Sequence, residues 1–137
     1  MDRFVKGFII MSIVYLGLAT ILGILMLAHE SLMPLKFVHS HLNLLGWVSM
    51  MIYGVGYHIL PRFMGRLLYS PILGEVQFYL ANVGIIGLIV FYTMNIYAPS
   101  GLYLSLTVAS GVVEAISIFL FFYNMLRTLL PKVEQPH

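Results

Sequence analysis

Four apolar runs, each long enough to cross a bilayer and each divided from the next by a short connection, constrain this chain most. They cover roughly residues 5–28, 38–60, 73–96 and 101–126. A transmembrane helix needs about 20 consecutive apolar residues. Inside a bilayer each backbone N–H and C=O must be paired within the protein, which selects helices for single apolar segments. Connections of about nine, twelve and four residues make consecutive helices antiparallel neighbours. The expected fold is all-α: an integral membrane four-helix bundle, one multi-pass domain over residues 1–137, with the lipid bilayer as its surroundings. Composition agrees, since 61% of residues are hydrophobic and only 9% charged, against about a quarter charged in soluble domains. Arg3 and Lys6 precede the first run as they would in a signal peptide. That apolar core is too long for one, and no small-residue cleavage site follows before His29.

Lys and Arg fix an expected orientation. One side collects Arg3, Lys6, Arg62, Arg66, Arg127 and Lys132, and the other only Lys36, so six of the seven cations share a side. Both termini are therefore expected in the cytoplasm (N-in/C-in), in a cell membrane of the inner or plasma type. The basic residues stand singly among loops, which gives no nucleic-acid signal despite a pI near 9.0. The chain has no cysteine, which excludes disulfides, iron–sulfur clusters and thiolate haem ligation. Residues 131–137 read as a short polar tail, with His137 at its end.

The polar residues of the apolar runs carry the functional signal. His39-Ser40-His41 stands at the mouth of the second run, where an imidazole is costly to bury unless something binds it. On a helix, positions i and i+2 lie about 200° apart, so the two rings point to opposite sides and do not share one ion. Imidazole is the commonest metal ligand and an axial ligand of haem iron. Gly46, Gly54 and Gly56 on the second run, with Gly84 and Gly87 on the third, would admit a flat cofactor. Glycine serves plain helix packing in membranes equally well.

His29 and Glu30 close the first run on the same side and, with His39, offer a surface metal site or simply a wet loop. Lys36 could meet haem propionates or lipid phosphate. His58 lies about 25 Å along the helix axis from His41 and reads as structural. Glu114 falls near the middle of the fourth run, where a carboxyl is a functional candidate by default. Asn82 lies at a similar depth on the third. Either a neutral Glu114 hydrogen-bonds Asn82 or a backbone carbonyl, or it relays protons or ions. Glu75 is read as a helix-start carboxylate suited to the dipole, and the nine methionines as core filler.

The stretch from Val38 to Gly65 holds His-Ser-His-Leu-Asn-Leu-Leu-Gly-Trp and then Tyr53-Gly-Val-Gly-Tyr-His-Ile-Leu-Pro-Arg-Phe-Met-Gly65. It resembles the tenth transmembrane helix of the catalytic subunit of haem–copper oxidases, whose His-x-His pair holds two haems on opposite faces. His41 to Leu45 also resembles the second helix of the related nitric oxide reductases, whose histidine holds the low-spin haem. The resemblance covers about 28 residues closely, and the remaining helices only in hydropathy. It implies haem b (protohaem) on His39 and His41. The family's subunit has twelve helices in three similar four-helix units, so a single unit implies a homotrimer, with a dimer sharing one haem as the alternative. The His-His pair and the tyrosine motif of the copper site are missing, so copper has no support and whether the chain is an enzyme stays open.

The expected function is electron transfer by bis-histidine haem b held between subunits, with an unspecified electron donor and acceptor. Two alternatives stand beside it: a haem-based sensor or scavenger of nitric oxide or another gas, and a non-haem metal-binding or accessory membrane subunit using His29, His39 and His41.

Overall fold

A computed structural model describes residues 1–130; Lys132 and His137 lie outside the described residues. Four helices long and apolar enough to cross a membrane form the molecule. Helix α1 is Arg3–Ala28, α2 is Glu30–Phe63, α3 is Pro71–Tyr97 and α4 is Gly101–Leu129. The closest pairings are α3 with α4 and α1 with α2.

The second helix departs from expectation at both ends and in its middle. It begins at Glu30 rather than near residue 38, because the loop winds into a 3₁₀ turn, Glu30–Leu35, that accepts Pro34. A regular segment, Lys36–His41, carries the histidine pair. A π-helical segment, Leu42–Ser49, follows directly, and α-helix resumes over Met50–Phe63. Pro61, just past the expected end of the second run at residue 60, does not stop the helix; it sits inside the last turn. The stop is Gly65, the one positive-φ residue among those described, at φ 62°. Gly65 and Arg66 donate their N–H groups to the Arg62 and Pro61 carbonyls at 3.0 and 2.9 Å, the closing bonds of a left-handed helix cap.

Serines start the last two helices. The Ser70 hydroxyl accepts from the Leu73 N–H at 3.2 Å with Pro71 as the first helical residue, and the Ser100 hydroxyl accepts from Leu102 N–H at 3.2 Å. Both are N-caps that satisfy an orphan amide. Helix α3 thus begins at residue 71 rather than 73, which puts Glu75 in its second turn rather than at its start.

Aromatic rings fill the core toward the end of the bundle that carries Arg62 and Arg66. Phe8 meets Phe78 edge-on at 5.1 Å and Tyr53 at 5.5 Å, while Phe4 and Phe121 meet Tyr57 edge-on at 5.4 and 5.2 Å. Such pairs are each worth about 0.5–1.5 kcal/mol beyond the area they bury. The outward faces are apolar, with Ile21, Leu104, Val112 and Phe119 all exposed. That distribution suits contact with lipid hydrocarbon. The buried face of α4 is the reverse: Ser110, Glu114, Ser117, Asn124 and Thr128 lie inside with Met125.

Candidate functional site

His39 and His41 sit in the regular segment of α2, one turn in from the loop, and both are half-buried. Their rings go to different neighbours. His39 Nδ1 lies 3.1 Å from the carbonyl oxygen of Ala19 on α1, with the ring against Gly23. A Cβ on Gly23 would stand 3.0 Å from His39 Cε1, so that glycine makes the space the ring occupies. His41 Nδ1 lies 2.9 Å from the carbonyl oxygen of Phe37, one turn back. Its ring stacks on Phe37 at 3.8 Å, and Phe37 stacks on Tyr92 of α3 at 4.0 Å. The two imidazoles therefore diverge, as their i, i+2 spacing requires.

The hydrogen bonds fix the tautomers. A carbonyl oxygen only accepts, so Nδ1 of each ring carries the proton and Nε2 keeps its lone pair. A histidine that donates Nδ1–H to a backbone carbonyl presents Nε2 in the arrangement metal-ligating histidines use. His41 Nε2 has no partner among the hydrogen bonds of the described residues. His39 Nε2 has a distant one, the Asn43 Nδ2 at 3.4 Å, and that same amide donates to the His39 carbonyl at 2.9 Å. The donor set thus fits a haem axial role in its chemistry: two imidazoles, oriented by backbone, in an apolar segment.

The π segment adjoins the pair. In a π-helix the hydrogen bond spans five residues, and such segments occur often at functional sites. Here the Ser49 hydroxyl reaches back to the Leu44 carbonyl at 2.8 Å. The widened turn brings Gly46 onto Tyr15 of α1, where a Cβ would stand 2.7 Å from Tyr15 Cβ. Tyr15 in turn donates its hydroxyl to Asn82 Oδ1 on α3 at 2.8 Å.

The other candidates do not join the pair. His29 caps the end of α1 and is exposed, as are Glu30 and Lys36. Among the described residues, no group of three or more His, Asp or Glu converges to hold a metal ion. His58 sits at the far end of α2, where the Arg62 guanidinium contacts its ring, with Nη1 3.1 Å from Nδ1.

Of the alternatives for Glu114, neither a hydrogen bond to Asn82 nor one to a backbone carbonyl forms among the described residues. Asn82 is committed to Tyr15 and to the Phe78 carbonyl, which its Nδ2 meets at 2.8 Å. Glu114 packs instead on the backbone of α3 at Gly84, where a Cβ would stand 2.8 Å from Oε2. Both Glu114 carboxyl oxygens and both side-chain polar atoms of Gln77 are buried with no hydrogen-bond partner. Gln77 was not among the sequence candidates. The spacing Ser110, Glu114, Ser117, Asn124, Thr128 marks one helical face, and that face was the available signal for a polar interior beside α3. Gly23, Phe37 and Tyr92, which position the two rings, are ordinary membrane residues that carry no such mark. No protein-family model matches the chain, and no curated protein matches it.

Proposed function

We propose that the protein is a membrane haem b protein that transfers electrons, with His39 of one subunit and His41 of the next as axial ligands in a homotrimer. The observation that carries this reading is the matched chemistry of the two rings: each has Nδ1 tied to a carbonyl and each keeps its Nε2 lone pair. Because the rings diverge, one chain does not supply both ligands to one iron. A second copy does, and closed cyclic symmetry repeats the arrangement without leaving a free ligand. Haem, when bound, would supply a one-electron redox couple.

This chain's part is to orient and enclose. The Ala19 and Phe37 carbonyls hold the tautomers, the Phe37–Tyr92 stack holds the His41 plane, and the apolar helix faces exclude water. In this reading both termini are cytoplasmic and the histidine pair lies toward the outer face of a cell membrane, following the placement of Arg and Lys. The purified protein is expected to show a haem b spectrum with a six-coordinate, low-spin iron. Absence of a Soret band in wild-type protein made with ample haem, or an unchanged band in His41→Ala, overturns the reading.

A second reading has its own observation. The Asn43 amide stands 3.4 Å from His39 Nε2, and if it keeps that lone pair, only His41 ligates. Iron with one open axial position would bind nitric oxide or carbon monoxide, the behaviour of a gas sensor or scavenger. A five-coordinate ferrous spectrum that shifts with carbon monoxide, unaltered in His39→Ala, distinguishes it.

A further inference from the structure

Apart from the histidine pair, the interior holds one feature that packing does not explain. Glu114 is 2% exposed and Gln77 is fully buried, and none of their four side-chain polar atoms has a hydrogen-bond partner. An unpaired amide in an apolar setting is costly, and an unpaired carboxylate far more so. Glu114 stands about 20 Å from either end of its helix. Bulk water reaches neither group directly.

Along α4, side-chain hydrogen bonds to other helices lie on one side of Glu114 only. Toward the Arg62 and Arg66 end, Ser117 donates its hydroxyl to the Gln77 carbonyl at 3.3 Å. Two turns further, the Asn124 Nδ2 lies 3.4 Å from the Tyr57 hydroxyl. Tyr57 lines a cleft of about 180 Å³ that also holds Asp2, His58, Arg62 and Arg66. Toward the opposite end the face continues through Ser110 and Thr107, whose hydroxyls are each tied to their own helix, at the Leu106 and Tyr103 carbonyls, 2.8 Å away in both cases. A Cβ on Gly87 would fall on the Ser110 hydroxyl, so the two helices close against each other there. Polar contacts between helices thus continue toward the Arg62 and Arg66 end and stop at the other.

We infer that Glu114 is a reversible proton-binding site inside the membrane, reached from the Arg62/Arg66 end through Gln77, Ser117 and the Tyr57 cleft. Ser117 and Asn124 are seven residues apart, about 10 Å along the axis. That gap is longer than a hydrogen bond, and the proposed route crosses it through water. The titratable side chains of other helices near Glu114 are Tyr15 of α1 and Tyr53 of α2, both phenols. A carboxyl so buried, with neither oxygen hydrogen-bonded, is held as the neutral acid, because burial penalises the charged form. The step is proton transfer alone: the carboxyl O–H bond breaks, the proton passes to water in the cleft as hydronium, and the carboxylate later takes one back. The inference does not depend on haem binding.

Infrared spectroscopy of the full chain in vesicles tests it. At neutral pH a neutral-carboxyl C=O band is expected in wild type and absent in Glu114→Gln. After transfer to D2O the band should shift as O–H becomes O–D. Gln77→Met, similar in volume and free of polar atoms, should slow that shift about tenfold or more, a barrier increase of about 1.4 kcal/mol. Ser110→Ala, on the opposite side, should leave it at the wild-type rate. Far-ultraviolet circular dichroism establishes that each variant keeps its helices. No neutral-carboxyl band in wild type overturns the inference. So does a Gln77→Met rate equal to wild type, or a Ser110→Ala rate slowed as much as Gln77→Met.

Discussion

Two glycines separate what packing requires from what the helix merely tolerates. Gly46 is buried in the π segment, where a methyl group would stand 2.7 and 2.9 Å from Tyr15 Cβ and Cγ. Those atoms lie next to the α1 backbone and have little freedom to yield. We predict that Gly46→Ala destabilises the fold by about 1–3 kcal/mol, the usual range for overpacking. Gly17 on α1 is exposed, and a methyl group there would meet nothing within 4 Å. Gly17→Ala should be neutral or stabilising by up to about 1 kcal/mol, because alanine loses less backbone entropy in a helix. Thermal unfolding in one detergent compares the two; equal melting temperatures would contradict the assignment of Gly46 to a close approach. At this scale the histidine pair was legible from composition alone, since a polar ring in an apolar run stands out. Gly23 was not, because its function is to leave room for a side chain sixteen residues away on another helix.

The four spans were legible because apolar length is a property of the segment itself. Their ends were less so, because each depends on a bond made elsewhere: Gly65 on its positive φ, Ser70 on a cap. Ser70 is also held by Asn124, whose Oδ1 accepts from the Ser70 N–H at 3.0 Å and whose Nδ2 donates to the Ser70 carbonyl at 2.8 Å. Asn124→Ala leaves both backbone groups without that partner and should lower stability by about 1–3 kcal/mol, read as a reduced melting temperature. The π segment leaves no residue-type signature, since it is a change in hydrogen-bond ladder and not in hydropathy. It does have a consequence at the level of the element. A π turn carries one more residue than the α-helical ladder needs, so removing one from Leu42–Ser49 should restore a regular helix. Leu44 is 63% exposed and its deletion disturbs little packing. The deletion replaces the widened turn with an α turn and so resets the angle between the histidine segment and Met50–Phe63. Under the proposed function it should leave helix content intact and abolish haem binding, measured by circular dichroism and by the Soret band of the same sample.

For the molecule as a whole, the divergence of His39 and His41 decides what assembly can do. A chain that gives one imidazole to α1 and the other to the α3 side has no single point where both reach one iron. If each haem takes His39 from one subunit and His41 from the next, ligation and assembly become one equilibrium. A group bound only by the assembled state stabilises that state by mass action. Wild-type protein loaded with haem should therefore run in detergent as three 15.5 kDa chains with one haem per chain. His39→Ala should lose both the low-spin spectrum and the trimer, whereas Lys36→Ala should keep both, since Lys36 is exposed and lies outside the ligand set. Multi-angle light scattering with a pyridine haemochrome assay gives the two numbers from one preparation. A monomer carrying one low-spin haem per chain would show that a single subunit supplies both ligands, and the intersubunit assignment would fall. A dimer with one haem per two chains would keep bridging ligation but replace threefold closure with a twofold axis, leaving one imidazole of each chain without iron.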